Sequence, residues 1–320
     1  MLNAPRKTWL GKIMLAVILL GLAAATYGSV QRVDYQWRWY RVPQYFVYQS
    51  EELEKMPFDG TVKDINKTDG SAKVIVVSED GEEHAITVKN DSLRVGLNED
   101  LWEGDVVGFT TSWHFGPLVW GLVTTLWISA AASIFALFLG LFTGLARVSS
   151  NYTLSSLALI YVEIIRGTPL LVQIFIAYFF IGTVFDLNRN VAGIGALGLF
   201  AGAYVAEIVR GGIQSISKGQ MEAARSVGMT VGQAMMYIIL PQAFKRILPP
   251  LSGTFINLIK DSSLVSIIAI TDLTKSGREI ITSTFATFEI WLVVAAMYLI
   301  VTSVLSQLVY HMERRLAISD

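Results

Sequence analysis

Long uncharged apolar runs alternate with polar stretches along this chain. A transmembrane helix needs about 20 apolar residues to cross a hydrocarbon core of about 30 Å. Runs of about that length, some interrupted by charges, occupy residues 13–30, 116–146, 154–185, 190–213, 250–271 and 290–310. The pattern predicts an all-α polytopic membrane protein with one N-terminal span and a five-helix core.

Composition supports a membrane protein and excludes several other classes. The chain is 53% hydrophobic and only 16% charged, whereas an average soluble domain is about a quarter charged. The net charge of −1 gives no reason to expect a nucleic acid partner. The chain has no cysteine, and His84, His114 and His311 are far apart in sequence. We therefore expect no metal, cofactor or catalytic residue on this chain.

The first run predicts an N-terminal transmembrane anchor over residues 1–31. Basic residues precede it at Arg6, Lys7 and Lys12. They favour a cytoplasmic N-terminus under the positive-inside rule. A cleaved signal peptide is the alternative, because Ala23 and Ala25 form a small-x-small site. Either choice places the next segment outside the cytoplasm.

Residues 32–112 predict a small extracytoplasmic domain of antiparallel β-strands. Alternating apolar and polar positions occur over Thr61–Ile65, Lys73–Val77, His84–Val88 and Asp105–Phe109. Asp69-Gly70 and Asp80-Gly81 between them are typical of hairpin turns. The segment opens with crowded aromatic residues, as an interfacial belt would. It is either a contact surface for a partner or a passive spacer.

Charge distribution gives the orientation of the core, residues 113–320. If the span at 116–146 enters from outside, one side of the membrane receives Arg147, Lys218, Arg225, Lys245, Arg246, Arg314 and Arg315. The other side receives only Arg189, Lys275 and Arg278, near the connections 186–189 and 272–285. This excess predicts that the first set, and both termini, are cytoplasmic.

The polar stretch 217–241 predicts two short helices joined by a glycine turn, within a cytoplasmic loop over 214–248. Ser217 with Gln220, and Thr230 with Gln233, each have the spacing of a capping box. Gly228 between them is the residue type that closes a helix in the left-handed conformation. Pro241 is expected to end or kink the second helix.

The same stretch resembles the EAA loop of bacterial ABC importer permeases. The resemblance rests on Glu222-Ala223-Ala224, Gly228 and Ile238-x-Leu240-Pro241 at the family's spacing. It implies that the loop is the coupling helix that binds an ATP-hydrolysing subunit. Glu222 and Arg225, at i and i+3, can pair on one face. The ATPase-coupling residues are then Gln220, Glu222, Ala223, Ala224, Arg225, Gly228 and Pro241.

Further motifs resemble the polar amino acid permeases, of the histidine, glutamine, arginine and opine type. They are Arg166-Gly167-Thr168-Pro169-Leu170-Leu171-Val172-Gln173, Ala203-Tyr204 with Glu207, Arg210-Gly211-Gly212-Ile213-Gln214, Pro249-Pro250 and Lys260-Asp261-Ser262-Ser263-Leu264. The resemblance covers about 116–315. It implies a dimeric channel of two copies or two related chains in the bacterial inner membrane, served by two ATPase subunits and an extracytoplasmic substrate-binding protein. ATP and magnesium then belong to the ATPase, and this chain hydrolyses nothing.

Charged side chains inside the predicted spans are the candidates for the translocation pathway. A central ionisable group costs about 2.5–3.5 kcal/mol on insertion scales, so each needs a partner or water. The candidates are Glu163, Arg166, Gln173 and Glu207. Self-paired structural roles are the alternative, because Glu163–Arg166 and Glu207–Arg210 are both i,i+3 pairs. Pro169 predicts a break or kink near 167–169.

Two other functional classes stay open at this point. One is a membrane-anchored interaction or sensor protein that acts through residues 32–112. The other is an ABC permease for another small solute. The cytoplasmic hairpin favours the amino acid permease, because a sensor has no use for two capping motifs around a glycine at this spacing.

Overall fold

The computed structural model describes residues 9–32, 35–78 and 80–317. Arg6 and Lys7 of the predicted charge pattern lie outside the described residues, as does the side chain of Arg315. The chain forms two compact units, Met1–Tyr40 and Arg41–Asp320.

The first unit contains helix α1 (Trp9–Arg32), which is 24 residues long. Its segment Gly11–Val30 has a mean hydropathy of 2.1, and none of it is buried. A helix that is apolar on all sides has the composition of a membrane span. Beyond it, the Trp37 ring stacks on Trp39 with 5.9 Å between centroids and meets Tyr35 edge-on at 5.3 Å.

The second unit opens with six β-strands, which we call the β block (residues 47–115). They are β1 (Val47–Lys55), β2 (Gly60–Lys67), β3 (Ser71–Ser78), β4 (Glu83–Lys89), β5 (Asp100–Leu101) and β6 (Val106–Phe115). β1 and β6 form an antiparallel ribbon, and the second sheet has the order β4-β3-β2-β5. The four alternating runs of the sequence lie in β2, β3, β4 and β6. The strand β1 has no counterpart among the predictions.

Alternation along these strands places valines in one shared core. Val62, Val74 and Val76 are fully buried, and Val107 of β6 joins them from the ribbon. Each fully buried valine contributes roughly 1.5–3 kcal/mol. The hairpin between β2 and β3 turns at Asp69-Gly70, where Gly70 has φ +93°. Both sheets therefore belong to one small hydrophobic unit.

The rest of the second unit is helical. Its helices are α2 (Pro117–Arg147), α3 (Tyr152–Arg166), α4 (Leu170–Phe175), α5 (Arg189–Gln214), α6 (Lys218–Ser226), α7 (Val231–Ala234), α8 (Leu240–Asp261), α9 (Leu273–Thr284) and α10 (Thr287–Ala317). Among the described residues, four helices are long and apolar enough to cross a membrane. The number reaches six if each of two bent helix pairs counts as one span.

Helices α2 and α5 pack so closely that glycine is required between them, and we call this contact the α2–α5 seam. A Cβ atom at Gly140 would lie 2.4 Å from Cβ of Val205, and one at Gly144 would lie 2.6 Å from Cβ of Val209. Small residues allow this approach, and van der Waals packing then holds membrane helices together. The seam fixes α5 against α2 along much of its length.

The predicted break at 167–169 is confirmed. Helix α3 ends at Arg166, and the following helical segment, Leu170–Gly182, turns away by 104°. Pro169 has no N–H, so the carbonyl of Ile165 loses its helical donor. The Gln173 side chain replaces that donor, because its Nε2 donates to the Ile165 carbonyl at 2.7 Å. It also donates to Oγ1 of Thr168 at 2.8 Å. We call this region the 167–169 corner.

Of the two predicted outcomes, an end or a kink at Pro241, the structure contradicts the first, because the helix does not end there. A wider π-helical turn, Met235–Ile239, precedes it, and α8 continues from Leu240 to Asp261. Leu240 N–H donates five residues back, to the carbonyl of Met235. Pro241 thus falls in the first turn of α8, where a missing N–H costs little. Pro249 and Pro250 also lie inside α8.

The predicted connection at 272–285 is instead a helix, which is a second correction. After α8 a 3-10 helix runs over Ser262–Ile268, and α9 follows at a bend of 50°. The buried carboxylate of Asp272 caps α9 by accepting from the N–H groups of Thr274 and Lys275, at 3.1 and 2.9 Å. Such an N-cap favours a helix by about 1 kcal/mol, and the polar composition of the segment obscured this signal.

Candidate functional site

The segment 217–241 folds as an exposed pair of short helices, which we call the 217–241 hairpin. Its first helix is α6, and its second begins at α7. The Ser217 hydroxyl accepts from Gly219 N–H at 3.3 Å, but Gln220 does not complete the predicted capping box. Its Oε1 instead accepts from Gln242 at 3.3 Å. The first capping box is therefore wrong, and Gln220 joins the hairpin to α8.

The second predicted capping box is present. Thr230 Oγ1 accepts from Gln233 N–H at 3.3 Å, and Gln233 Oε1 accepts from Thr230 N–H at 2.9 Å. Two donors at the start of α7 are thereby satisfied.

Gly228 forms the turn between the two helices, as predicted. Its φ is +90°, and its N–H donates to the Arg225 carbonyl at 3.0 Å. The next N–H, of Met229, donates to Ala224 at 3.2 Å. These bonds close α6 in the manner of a left-handed helix end. Space does not limit this site, because a Cβ there would meet nothing within 4 Å.

The first helix of the hairpin exposes the residues that the resemblance assigns to coupling. Ala224 is buried, whereas Glu222, Ala223 and Arg225 are exposed. Within the described part of the chain, Glu222 and Arg225 form no ion pair, in contrast to the expectation. Exposed pairs of this kind contribute little in water. Both charges are thus available on the outer surface of α6.

The hairpin is attached to the ends of both α5 and α8. Gln242 of α8 donates to Gln220 of the hairpin. Arg246 of α8 donates to the hydroxyl of Ser215, in the short connection between α5 and the hairpin, at 3.0 Å. A recess of about 370 Å³ lies where these elements meet. Its lining is Ile213, Gln214, Ile216, Ser217, Lys218, Met221, Met235 and Ile239. A displacement of the hairpin therefore acts on two long helices at once.

A cluster of ion pairs lies further along α5, centred on Glu207. Its carboxylate lies 3.0 Å from Arg147 of α2, 2.7 Å from Arg210 of α5 and 3.7 Å from Arg166 of α3. The Glu207–Arg210 pair was predicted, but the Glu163–Arg166 pair is not formed, because Arg166 turns to Glu207. The sequence indicated Arg147 only as one of the basic residues that favour the cytoplasmic side of the membrane. Three helices meet at this one carboxylate.

Arg166 connects the cluster to a second recess. Its guanidinium lies over the ring of Tyr204, 5.4 Å from the centroid. The face of an aromatic ring attracts a cation in this position. Tyr204 in turn lines a cavity of about 480 Å³ between α5 and α8. The cavity lining is Phe200, Ala201, Tyr204, Thr254, Asn257, Leu258, Lys260 and Asp261. Sequence reasoning did not select Tyr204 or Asn257 as pathway residues, although Tyr204 stands in a quoted motif.

The four predicted pathway residues therefore occupy different places. Glu207 and Arg166 belong to the ion-pair cluster, and Gln173 braces the 167–169 corner. Glu163 lies on α3 one turn before the corner and has no ion pair among the residues that the structure describes. No group of three His, Cys, Asp or Glu side chains suited to a metal ion occurs among those residues.

The chain has a helical membrane core, and an exposed hairpin with a glycine turn connects two of its long helices. This arrangement is typical of the membrane component of a transport complex. The chain belongs to the family of binding-protein-dependent transport system inner membrane components, whose model matches residues 136–318. It is an ABC transporter permease and a membrane protein. The resemblance drawn from its motifs is confirmed.

Similar proteins cover the helical core. The glutamine transport system permease protein GlnP of Escherichia coli (strain K12) is 40% identical over 204 residues, which are 63% of this chain and 93% of that protein. The probable glutamine ABC transporter permease protein GlnM of Bacillus subtilis (strain 168) is 41% identical over 204 residues, 63% and 94% of the two chains. A crystal structure of an amino acid ABC transporter with histidines is 42% identical, with a TM-score of 0.59, and covers 62% of this chain and 94% of that one.

Proposed function

We propose that this chain forms the membrane pathway of an ATP-driven importer of polar amino acids and that the 217–241 hairpin binds its ATPase. The observation that carries the proposal is the exposed surface of α6, at Glu222, Ala223 and Arg225, on a hairpin fastened to α5 and α8. ATP and magnesium belong to the ATPase subunits, and this chain performs no hydrolysis. A second permease copy, or a related chain, completes the pathway.

Charge supports a cytoplasmic position for the hairpin at the inner membrane. Exposed basic residues on and near it are Lys218, Arg225, Lys245 and Arg246. The positive-inside rule assigns such loops to the cytoplasm. Both chain termini then lie in the cytoplasm as well, α1 serves as a retained membrane anchor, and the β block lies outside. There a substrate-binding protein delivers the amino acid.

The attachment of the hairpin to α5 and α8 provides a route by which ATP binding to the ATPase changes the shape of the pathway. The same two helices that hold the hairpin, α5 and α8, line the cavity that contains Tyr204 and Asn257. When the ATPase moves the hairpin, α5 and α8 shift relative to each other and the cavity changes shape. A rigid connection is needed, and the ion-pair cluster at Glu207 supplies it by tying α5 to α2 and α3.

The cavity chemistry suits a zwitterion with a polar side chain. The amide of Asn257 and the hydroxyl of Tyr204 donate and accept hydrogen bonds. Asp261 and Lys260 carry opposite charges that complement an ammonium and a carboxylate. Among the predicted pathway residues, Arg166 is the best placed to contribute, because it is half exposed and lies over Tyr204. Glutamine, named in the relatives, is the first substrate to test.

A test of the hairpin uses the whole transporter purified through a tag on this chain. Glu222→Lys and Gly228→Asp are each expected to reduce the ATPase that co-purifies and to abolish substrate-stimulated ATP hydrolysis in proteoliposomes. Glu103→Lys makes the same charge change on an exposed residue of the β block and is the matched control. Full ATPase recovery and full stimulation in both hairpin variants would contradict the proposal.

A test of the pathway measures uptake of labelled glutamine. Asn257→Ala is expected to raise the substrate concentration for half-maximal uptake while ATPase recovery stays normal. Thr282→Ala, at an exposed residue of α9 outside the cavity, is the control. Unchanged uptake kinetics for Asn257→Ala would remove this cavity from the pathway.

A further inference from the structure

Large aromatic side chains are exposed where the β block joins helix α2. Trp113 and Phe115 of β6 are 68% and 61% exposed, and Trp120 in the first turns of α2 is 60% exposed. Together with Tyr48, His114 and Pro117 they line a recess of about 440 Å³. Exposed apolar groups of this size mark an interaction surface. We call Trp113, Phe115 and Trp120 the aromatic seat.

The joint next to the aromatic seat is tightly packed. Gly116 separates β6 from α2, and its N–H donates to the Phe46 carbonyl at 2.7 Å. A Cβ at Gly116 would lie 2.2 Å from the Tyr45 carbonyl oxygen. The ribbon of β1 and β6 is therefore held against the start of α2 through short backbone contacts. Whatever surrounds the beginning of α2 also surrounds the aromatic seat.

The length of α2 places its beginning in the headgroup layer. At about 1.5 Å per residue, its 31 residues span about 46 Å. A bilayer including its headgroups is about 40–45 Å thick. With Arg147 at one surface, Pro117 lies at the opposite surface. The aromatic seat, within a few residues of Pro117, then lies at the depth where tryptophan and tyrosine concentrate in membrane proteins.

One face of β6 is aromatic and the other is polar, as expected for a strand at the surface of the membrane. Alternation along a strand sends Trp113 and Phe115 to one side and Ser112 and His114 to the other. On that other side His114 lies 2.9 Å from Glu52 and 2.7 Å from Ser112. The polar groups, and the Tyr48 ring that stacks on His114, thus lie on this side, while the Trp113 and Phe115 rings face outward on the other. Indole rings in this place can bury their apolar area and still hydrogen-bond to headgroups.

From these observations we propose that the aromatic seat rests in the phospholipid headgroup layer and fixes the β block on the membrane surface. The occupant is the lipid interface, because the seat continues the exposed apolar surface of α2 at Val123 and Trp127. The proposal requires that α2 spans the membrane, and it is independent of ATPase coupling and of the side on which the block lies. Its failure would leave the proposed transport function intact.

Spin labels can test the proposal, because the chain has no cysteine of its own. Single variants Trp113→Cys, Trp120→Cys and Thr111→Cys are labelled in the full-length protein in phosphatidylcholine and phosphatidylglycerol liposomes. Thr111→Cys keeps every aromatic residue and guards against local unfolding. Accessibility to oxygen, which concentrates in lipid, is compared with accessibility to a water-soluble nickel chelate.

The matched control is Trp102→Cys. Trp102 is 65% exposed and lies at the opposite end of β6, where its carbonyl accepts from Asp105. The strand from Val106 to Phe115 spans about 30 Å at about 3.3 Å per residue. We expect an oxygen-to-nickel ratio severalfold higher at 113 and 120 than at 102, with 111 between them.

Two results would overturn the proposal. Equal ratios at positions 113 and 102 would show that the aromatic seat faces water. A label at 113 that is shielded from both reagents only after a substrate-binding protein is added would show that the seat is a protein docking surface instead.

Discussion

The α2–α5 seam and the 217–241 hairpin both require glycine, but for opposite reasons. At Gly144 a Cβ would lie 2.6 Å from Val209, while the backbone has an ordinary helical conformation. At Gly228 a Cβ would meet nothing within 4 Å, but φ is +90°. The first site is limited by space and the second by backbone conformation. The seam is thus specified by its neighbour, and the hairpin by its own sequence.

The largest expected effect is in the seam. Gly140→Ala places a Cβ 2.4 Å from Val205 and 2.7 Å from the carbonyl of Gly202. Overpacking of this kind costs about 1–3 kcal/mol or more, so the thermal unfolding temperature in detergent should fall clearly. Gly195→Ala on α5 meets nothing within 4 Å and is the control. Equal unfolding temperatures for both variants would show that the seam is looser than described.

The second effect concerns the carboxylate that joins three helices. Glu207→Gln leaves Arg147 and Arg210 without their partner, and breaking a buried pair costs about 3–5 kcal/mol. Because the Glu207 side chain is 19% exposed, water screens part of this cost. We therefore expect a loss of about 1–2 kcal/mol, smaller than that of Gly140→Ala, measured by thermal unfolding. Uptake should fall with it if the cluster also lines the pathway. Glu279→Gln, in an exposed pair with Lys275, should change stability by less than about 1 kcal/mol.

A smaller effect is expected at the hairpin turn. Gly228→Ala forces an alanine into the left-handed region at a cost of about 1–2 kcal/mol. The permease core does not depend on this turn, so the global unfolding temperature should change little while ATPase recovery falls. Gly232→Ala in the same hairpin has open space and no positive φ. If Gly228→Ala and Gly232→Ala lost the ATPase to the same extent, the loss would come from the added methyl group on the hairpin surface and not from the turn geometry.

The smallest effect distinguishes the two helix starts of the hairpin. Thr230→Ala removes a complete capping box and should cost about 1 kcal/mol of local stability. Ser217→Ala removes one hydrogen bond of 3.3 Å and should cost less. Amide hydrogen exchange within 218–240 measures both. Faster exchange in Ser217→Ala than in Thr230→Ala would reverse this ranking.

The same contrast explains what the sequence could and could not predict. Gly228, Thr230 with Gln233, and Pro169 act through bonds to residues nearby in the chain, and their effects were predicted correctly. The glycines of the seam depend on Val205 and Val209, some 65 residues away along the chain, and no local pattern reveals that pairing. Family membership could be inferred because the motif spacings are local as well.

The failed predictions have the same origin. Gln220 pairs with Gln242 of α8 instead of its own helix start, and Arg166 pairs with Glu207 of α5 instead of Glu163. In each case a tertiary partner replaced the neighbour at i+3. The helix does not end at Pro241, because a π-helical turn without a recognisable sequence signal precedes it. Long side chains at helix ends are where local rules are least reliable.

The 167–169 corner has a consequence for depth in the membrane. The 15 residues of α3 extend about 22 Å at about 1.5 Å per residue. With Asn151 at one membrane surface, the chain changes direction several ångströms before it reaches the other surface of a core about 30 Å thick. An unpaired carbonyl that faces lipid at that depth costs several kcal/mol, so it needs a donor from the protein. The Gln173 amide donates the hydrogen bond that water would donate to the backbone of an exposed loop. The chain can therefore bend inside the bilayer.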